Sequence, residues 1–507
     1  MERDENKMVL MEPVRTTKKL DENEEEPEAL LMSPTSRMFH EPNYNVYTLA
    51  IMGWKIPLNV DAMKAEIQGK LLKHPRFSSL QAVDESDDSR KMKWVPTTVN
   101  IDDHITVPDL KSIPNNMDSH LADKLVEEYI SNLSTTTIDM SKPLWDLHIL
   151  NVKTSHADAT CIFRFHHSLG DGVSLISLLL SCFRKTSDPT SLPTLLVSSS
   201  SSSKGKSNLS NNRRSIRSLI WQCLVKLWWC IRLLFNTIID VLLFVATALF
   251  LKDSQSPFTV PQGFKLSTRL RFIYRTISLD DIKFIKNSTN STVNDVILGI
   301  TQAALSRYIH RRYEIEGKRK FSPQKMRCRA NVVVNLRPAL GVQTVAEMIE
   351  KNAIVIQGNC FGFVIIPLSI SQLDNPLDYV LKAKTTMDRK KHSLESRCTF
   401  YFSQLLIKLF GFEGATTLAA RVLSQTTLIF SNVAGPPEEV SCSGHPLTFL
   451  APTCYGQPTG LMVHGCSYAK KLTFAVAVDE GIIPDPNLES FRLIKEAALS
   501  KWRTKVD

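Results

Sequence analysis

The sequence lacks the features of several common protein classes. Its ten cysteines form no CxxC pair and no Cys/His spacing that resembles a zinc site. We therefore expect reduced, mostly buried thiols and no bound metal. The first residues, MERDENKMVLMEPVR, contain no apolar run, so we expect no secretory signal peptide.

A serine hydrolase is also disfavoured by what is missing. HGCSYA at 464–469 approaches the G-x-S-x-G nucleophile motif, but Ala469 stands where the last glycine belongs. That fold needs a histidine after the nucleophile, and no histidine follows His464.

Acidic residues are the scarcer charged type. Lys and Arg number 61 against 51 Asp and Glu, which gives a net charge of +10. This balance favours anionic partners such as phosphates or a lipid surface, and a solvated basic surface is the alternative. We expect no nucleic acid partner.

Composition divides the chain into five segments. Residues 1–30 are charged and cannot bury enough apolar surface to fold, which predicts a disordered tail. Residues 31–186 alternate helical and strand patterns, and 187–214 is a Ser-rich stretch typical of a flexible linker. Segment 215–253 is the most apolar part, and a second mixed α/β half runs over 258–507.

Segment 215–253 predicts a membrane-associated helix. Leu233–Leu251 carries one charge, Asp240, and as a helix of about 28 Å it could cross a bilayer core. On a helical wheel the polar residues fall in one half and the apolar residues in the other. The polar half holds Arg217, Gln222, Lys226, Arg232, Asn236 and Asp240. We expect an interfacial amphipathic helix or a hairpin, with 241–251 inserted more deeply; a single span or a buried core helix are the alternatives.

The stretch FRFHHSLGDGVSL at 163–175 carries the clearest chemistry. TCIFRFHH at 160–167 predicts a buried strand, and GVSLISLLLSCFRK at 172–185 predicts a helix. Neighbouring strand residues point to opposite faces, so His166 and His167 are poorly placed to share a metal ion.

The turn between that strand and helix contains Gly170, Asp171 and Gly172, and each has an expected role. Gly170 and Gly172 are expected to allow a tight turn with positive φ. Asp171 is expected to fold back and hold the turn through backbone N–H groups or an arginine partner.

HHSLGDG at 166–172 matches the HHxxxDG motif of the CoA-dependent acyltransferase superfamily. Six further stretches make the chain resemble the wax ester synthase/diacylglycerol acyltransferase family in its plant form. They are SPTSRMF at 33–39, PLWDLHIL at 143–150, TVNDVILG at 292–299, NLRP at 335–338, GNCFGFVIIPL at 358–368 and SNVAGPPE at 431–438.

The resemblance implies a two-lobed α/β fold similar to chloramphenicol acetyltransferase. Each lobe would be a mixed sheet flanked by helices, with the active site in a tunnel between the lobes. The implied reaction moves a fatty acyl group from acyl-CoA to a long-chain alcohol or to diacylglycerol. Acyl-CoA is then a co-substrate, and no cofactor or metal is expected. A sterol acceptor and a non-catalytic member of the fold are the alternatives.

The resemblance also implies a location and a set of residues. We expect the endoplasmic reticulum membrane, with the plasma membrane as a second location, and the catalytic lobes facing the cytosol. The motif's catalytic positions are His166, His167 and Asp171. His167 takes the general-base position, and His166 is expected to point away and support the turn.

Two residues outside the motif receive supporting roles from the same resemblance. Asp171 is expected to be structural, with Arg337 of NLRP as its partner. Asn294 is expected either to line the site or to cap the following helix, which STVNDVILGITQAALSRYIHRR predicts at 291–312. PLW at 143–145 and GNCFGF at 358–363 would line the tunnel or pack in the core.

Departures from related families narrow the expected chemistry. APTCYGQPTG at 451–460 lacks the DFGWG motif of the BAHD-type plant acyltransferases that share HHxxxDG. This argues against the acylation of soluble phenolics or alkaloids. The sequence also carries no carrier-protein domain, which disfavours a peptide-synthetase condensation role.

Overall fold

The computed structural model describes residues 30–83, 91–109, 117–197, 216–259, 269–315, 326–337, 341–344 and 358–483. The tail predicted at 1–30 lies outside these residues, apart from Leu30, and so does most of the predicted linker.

The described residues form strands and helices of two sheet-based lobes. The strands are β1 (Leu30–Leu31), β2 (Tyr47–Trp54), β3 (Ser79–Val83), β4 (Met92–Pro96), β5 (Ile105–Thr106), β6 (Trp145–Leu150), β7 (Ala159–His166), β8 (Arg184–Lys185), β9 (Thr194–Val197), β10 (Leu270–Ser278), β11 (Arg329–Asn335), β12 (Gly341–Thr344), β13 (Phe361–Pro367), β14 (Leu428–Ala434), β15 (Val440–Cys442), β16 (His445–Tyr455), β17 (Leu461–Tyr468) and β18 (Lys471–Asp479). The helices are α1 (Pro34–Met38), α2 (Val60–Gly69), α3 (Ser119–Leu133), α4 (Gly172–Leu180), α5 (Ile216–Leu249), α6 (Leu279–Ser288), α7 (Val293–Ile315), α8 (Leu377–Lys391) and α9 (Glu395–Ser424).

The first lobe is built on a seven-stranded sheet. Its strand order is β5-β6-β7-β2-β16-β15-β8, with β5 and β6 parallel and the other pairs antiparallel. All eight residues of β7 and all six of β6 are buried. Strands covered on both faces read as continuous apolar runs, which is why TCIFRFHH shows no alternation. Tyr47 pairs with His166, so the histidine motif leaves the sheet where β2 begins.

The second lobe is built on a six-stranded sheet with the order β10-β18-β17-β14-β11-β13. The pairs β11–β14 and β14–β17 are parallel and the others are antiparallel, so this sheet is also mixed. A second apolar core joins its strands to α7 and α8.

Helix α7 begins with a reciprocal cap. Thr292 Oγ1 accepts a hydrogen bond from Asp295 N at 3.3 Å, and Asp295 Oδ2 accepts one from Thr292 N at 2.8 Å. Two otherwise unpaired N–H groups are satisfied this way. Every residue from Asp295 to Ser306 is buried, which is typical of a helix enclosed on all sides.

Segments from the second half complete the first lobe. Strand β16 pairs with β2, and β15 pairs with β8. The two lobes are therefore interleaved, because residues 440–455 of the second half belong to the first sheet. The helix predicted at 172–185 also ends early, at Leu180, since Arg184 and Lys185 form β8 instead.

The start of the predicted linker at 187–214 is ordered, contrary to expectation. Strand β9 pairs with β12 in a two-stranded sheet. Thr194 donates its backbone N–H to Glu438 Oε1 at 2.9 Å and its hydroxyl at 2.8 Å. These bonds fix a segment that composition alone marks as flexible.

The apolar segment at 215–253 forms one helix, α5, of 34 residues. The prediction that this segment forms a hairpin is therefore wrong. By length and composition, Ile220–Leu249 could cross a membrane.

The two mixed sheets with flanking helices confirm the two-lobed α/β fold expected from the sequence. The motif loop after β7 lies between the lobes, because residues 358–360 of the second half contact it.

Candidate active site

The histidine motif occupies a short connection between a buried strand and a helix. Strand β7 ends at His166, a single 3-10 turn spans His167–Leu169, and α4 begins at Gly172. Asp171 caps α4, because its Oδ1 accepts a hydrogen bond from Ser174 N at 3.1 Å.

The prediction that the two glycines adopt positive φ is wrong. Gly170 has φ 162°, which is extended backbone, and Gly172 does not have positive φ. Close packing explains them instead. A Cβ at Gly170 would lie 2.9 Å from Ser174 Oγ, and one at Gly172 would lie 3.3 Å from Val433 Cγ2.

His166 is buried, 1% exposed, and both of its ring nitrogens are occupied. Its Nε2 lies 3.1 Å from the Phe39 carbonyl oxygen and 3.0 Å from Asn45 Oδ1. Because both neighbours are acceptors, Nε2 carries the proton. Its Nδ1 lies 2.6 Å from Ser168 Oγ. Burial holds the pKa of His166 well below 6.5. The ring therefore has no free nitrogen for a substrate.

His167 is held by one side chain, Asn359. Its Nδ1 lies 3.1 Å from Asn359 Oδ1. Asn359 Nδ2 donates to the His167 carbonyl oxygen at 2.9 Å and to Ser36 Oγ at 3.1 Å. These two bonds fix which way the amide faces, so Oδ1 meets Nδ1 and Nδ1 must carry the proton. The lone pair of the neutral ring is then on Nε2, in the arrangement a general base requires.

The surroundings of His167 keep its ring neutral. Phe39 stacks on the imidazole with ring centroids 4.2 Å apart, and Phe361 lies at 6.0 Å. Burial lowers the pKa of His167 below 6.5, opposed by hydrogen bonds and by the Asp171 charge.

Asp171 and Arg337 form a buried ion pair between the two halves of the chain. Arg337 Nη1 lies 2.6 Å from Asp171 Oδ2, and both residues are less than 10% exposed. Cys360 N also donates to Oδ2 at 2.9 Å, and Arg337 Nη2 donates to the Gly358 carbonyl oxygen at 2.7 Å. The carboxylate is thus saturated with donors, and the segment 358–360 is fixed against the motif.

Arg76 is a further support that sequence reasoning missed. Its Nη1 donates to the Leu169 carbonyl oxygen at 2.5 Å, in the middle of the motif. Burial lowers the pKa of Arg76 to about 10, partly offset by Asp171. It is therefore still cationic at neutral pH and adds a second positive charge near Asp171.

Asn294 lies outside this cluster. Its side chain is exposed on the first turn of α7, and its Oδ1 accepts a hydrogen bond from Asn432 Nδ2 at 2.5 Å. The side chain that caps α7 is Thr292.

An apolar pocket begins beside His167. Phe39 and Phe361, which contact the imidazole, both line it. Its empty volume, including the open mouth, is about 730 Å³, within the range of small-molecule sites. The other lining residues are Thr35, Met38, Tyr44, Phe244, Ala248, Gly362, Phe363, Thr399, Phe400, Phe402, Ser403, Leu406, Ala415, Leu418, Ala419, Val422 and Leu423.

Other chemistries find little support in the described residues. No group of three or more His, Cys, Asp or Glu residues there is arranged to hold a metal ion. Residues 464–468 of the HGCSYA stretch lie in β17 and Ala469 lies in the turn to β18, whereas a serine nucleophile elbow requires a turn from a strand to a helix.

The key partner of His167, Asn359, was also missed as a functional residue. Its signal was the GNCFGF stretch, which sequence reasoning assigned to packing or the tunnel wall. Phe39 lies in SPTSRMF, where nothing in the sequence indicates contact with a histidine 128 positions later.

Comparisons with known proteins agree over nearly the whole chain. The family model for the wax ester synthase/diacylglycerol acyltransferase catalytic domain matches residues 29–297, and the WS/DGAT C-terminal domain model matches 357–491. Wax ester synthase/diacylglycerol acyltransferase 11 of Arabidopsis thaliana is 42% identical over 492 residues, or 96% of this chain and 97% of the relative. Wax ester synthase/diacylglycerol acyltransferase 5 of the same organism is 42% identical over 502 residues, or 97% of each.

A solved structure shares the fold at low sequence identity. The wax ester synthase/diacylglycerol acyltransferase from Marinobacter aquaeolei VT8 aligns with a TM-score of 0.55 and 14% identity, covering 94% of this chain and 99% of that one. The family models and the relatives carry the assignment: the chain belongs to the wax ester synthase/diacylglycerol acyltransferase family and is an acyltransferase.

Proposed function

We propose that this acyltransferase moves a long-chain fatty acyl group from acyl-CoA to a long-chain alcohol, producing a wax ester, and that diacylglycerol is a second acceptor. The observation that carries the proposal is the placement of His167. Its ring stacks on Phe39, and its Nδ1 proton is bound by Asn359. An apolar pocket begins at Phe39 and Phe361, the two phenylalanines beside the ring.

In the proposed mechanism His167 acts as a general base. Its Nε2 takes the hydroxyl proton as the alcohol oxygen attacks the thioester carbon. The tetrahedral intermediate collapses, the carbon–sulfur bond breaks, and the CoA thiolate takes the proton back from the imidazolium. The products are an ester and free CoA. The reaction uses acyl-CoA as co-substrate and needs no further cofactor.

The motif's other residues hold this geometry. Asp171 is engaged by Arg337, Cys360 N and Ser174 N, so its role is to join the loop to segment 358–360. His166 anchors the loop to the Phe39 carbonyl group. Only His167 presents a free ring nitrogen to the reacting atoms.

The pocket supports a long apolar substrate. Its walls are almost entirely aliphatic or aromatic, with three hydroxyl-bearing Ser or Thr residues, Thr35, Thr399 and Ser403. Burial of an alkyl chain there gains about 0.8 kcal/mol for each CH₂. Longer chains should therefore bind more tightly until the pocket is filled.

The proposed location is the endoplasmic reticulum membrane, with both lobes in the cytosol. The long apolar helix α5 supports a membrane location. All ten cysteines lie in the described residues and are free, which fits a reducing compartment. Carbonate extraction of isolated endoplasmic reticulum vesicles would test the membrane location, and protease protection would test the cytosolic orientation of the lobes.

The decisive experiment measures ester formation by the purified full chain. Palmitoyl-CoA with hexadecanol should yield wax ester, and His167→Ala should lower kcat/KM by about 10²–10⁴-fold. His120→Ala is the matched control, because the side chain of His120 is 84% exposed. Full activity in His167→Ala would refute the mechanism. Dioleoylglycerol supplied in parallel tests the second acceptor.

Chain-length selectivity tests whether the pocket holds the alkyl group. Ala419 lines the pocket, and Ala419→Phe should lower the rate with hexadecanol more than with decanol. Thr417, exposed on the same helix, provides the control Thr417→Phe. Equal losses on both alcohols would contradict the assignment of the pocket.

A further inference from the structure

The polar residues in the second half of α5 pack against protein, whereas Gln222, Lys226 and Arg232 of the first half are exposed. Asp240 is fully buried, paired with Arg389 and lying 2.9 Å from Lys390 Nζ. Asn236 Nδ2 donates to the His392 carbonyl oxygen at 3.0 Å, and Thr247 Oγ1 accepts from Arg329 Nη1 at 2.5 Å. The second half of α5 is therefore fixed to the second lobe by its polar stripe.

This orientation reverses the usual arrangement of a surface helix, because the apolar side faces outward. Trp221, Trp228, Leu234, Phe235, Ile238 and Leu242 are each 58% exposed or more. Fourteen of the 28 strongly exposed large apolar side chains in the described residues lie on α5. Soluble proteins rarely leave such a surface uncovered.

Helix α9 lies beside α5. Phe244 of α5 and Phe402 of α9 meet edge to face, 6.4 Å between ring centroids. Arg421 Nη2 of α9 donates to the Leu249 carbonyl oxygen at 2.6 Å.

Helix α9 also carries its own exposed apolar side chains. Tyr401, Leu405, Leu409 and Phe410 are 48–69% exposed. The four-residue spacing of Tyr401, Leu405 and Leu409 places these three along one face of the helix, and Phe410 lies on an adjacent face. The last two precede a bend at Gly411, so they form an apolar tip. We call α5 together with Tyr401–Phe410 the two-helix surface.

The charges on the two-helix surface favour an anionic lipid leaflet. Lys226 and Arg232 are exposed among the apolar residues of α5, and Lys408 is exposed on α9. The single acid of α5, Asp240, is buried. Exposed cations beside tryptophans fit the headgroup level of a bilayer that contains acidic lipids.

The pocket lies between the same two helices. Phe244 and Ala248 of α5 line it together with Phe402, Leu406 and Leu418 of α9, and Phe244 and Phe402 are half-buried. Its inner end reaches Phe39 and Phe361 beside His167. An alkyl chain could thus pass from a leaflet into the pocket without entering water.

We propose that the two-helix surface docks the protein on an anionic lipid leaflet, and that the lipid acceptor enters the pocket from that leaflet between Phe244 and Phe402. The docking rests on exposed apolar area and charge. The access route rests on the proposed function, since it assigns the pocket to a lipid acceptor.

Vesicle flotation of the purified full chain tests the docking. The protein should float with phosphatidylcholine vesicles that contain phosphatidylserine, and the double variant Leu409→Ser/Phe410→Ser should bind about 100-fold more weakly. Phe284→Ser is the control, because Phe284 is a 43% exposed apolar residue on α6. Lys226→Glu/Arg232→Glu should weaken binding about tenfold or more, and only where phosphatidylserine is present.

Three results would overturn the docking proposal. They are unchanged flotation of Leu409→Ser/Phe410→Ser, equal weakening by Phe284→Ser, and a stable dimer whose dissociation accompanies these substitutions. Flotation does not depend on turnover, so an inactive protein that still floats would count against the proposed function and leave docking supported.

Photolabelling tests the access route. Vesicles that carry a long-chain alcohol with a diazirine on its alkyl chain are irradiated with the bound protein, and the adducts are mapped by mass spectrometry. Labels should fall on peptides that contain Phe244, Phe402 or Leu418, and excess hexadecanol should compete for them. Labels confined to other surfaces would refute access between α5 and α9.

Discussion

Nδ1 of His167 lies 3.1 Å from Oδ1 of Asn359, whose own Nδ2 donates to the His167 backbone carbonyl oxygen at 2.9 Å. One side chain from the second half of the chain thus hydrogen-bonds both the ring and the backbone of the histidine. It selects the tautomer with a free Nε2. Because Asn359 is 192 positions away from His167, this relationship exists only in the folded protein.

Asn359→Ala should lower kcat by about tenfold while leaving KM for acyl-CoA unchanged. A lost hydrogen bond costs about 0.5–1.5 kcal/mol, and each 1.4 kcal/mol is tenfold in rate. Steady-state kinetics checks this. Asn59→Ala removes the cap of α2 and should lower stability by about 1 kcal/mol with no change in kcat. Similar kcat values for Asn359→Ala and wild type would show that Asn359 does not position the base.

The pH profile should show a base with a low pKa. Burial lowers the pKa of His167 below 6.5, so the neutral ring persists as pH falls through 6.5. The acid limb of kcat/KM should therefore lie below pH 6.5. In Asn359→Asp a carboxylate would face Nδ1, stabilise the imidazolium and move this limb to higher pH. A wild-type limb above 6.5, or no movement in Asn359→Asp, would contradict the assignment.

Breaking the pair between Asp171 and Arg337 should be costly. Arg337→Met leaves a buried carboxylate without its cation, and such losses typically cost about 3–5 kcal/mol. Urea unfolding followed by tryptophan fluorescence measures the change. Lys283→Met is the control, because its pair with Asp280 is at least half exposed and should contribute less than about 1 kcal/mol. A loss for Arg337→Met no larger than the control's would show that the pair does not hold the lobes together.

Gly411→Ala should destabilise α9. Gly411 adopts φ 69° and ψ −175° inside the helix, a conformation that costs other residues about 1–3 kcal/mol. No neighbouring atom would touch the added Cβ, so the backbone alone sets the cost. Gly69→Ala, at the end of α2 with equally open surroundings, should instead be neutral or stabilising. Thermal unfolding of the two variants measures the difference, and equal midpoints would refute backbone strain at position 411.

Local pattern was enough to locate several elements. The apolar run TCIFRFHH predicted β7, and the stretch STVNDVILGITQAALSRYIHRR predicted α7 to within a few residues, because both signals are carried by neighbours in sequence. The family resemblance predicted the pairing of Asp171 with Arg337, and in the structure Arg337 Nη1 lies 2.6 Å from Asp171 Oδ2. Local pattern failed to predict the short strands at Arg184 and Thr194, because these strands form by pairing with segments far away in sequence.

The sequence by itself determined the family, the motif loop and the strongly apolar helix, since each is carried by short stretches of neighbouring residues, and the two-lobed fold followed from the family resemblance. Only the tertiary structure decided which ring nitrogen of His167 is free, why Gly170 and Gly172 are small, and which side of α5 faces outward. A helical wheel separates polar from apolar residues, but it does not say whether the polar stripe meets water or protein. Buried Asp240 and its partners on α8 answer that question, because a buried charge is tolerated only where opposite charges meet it.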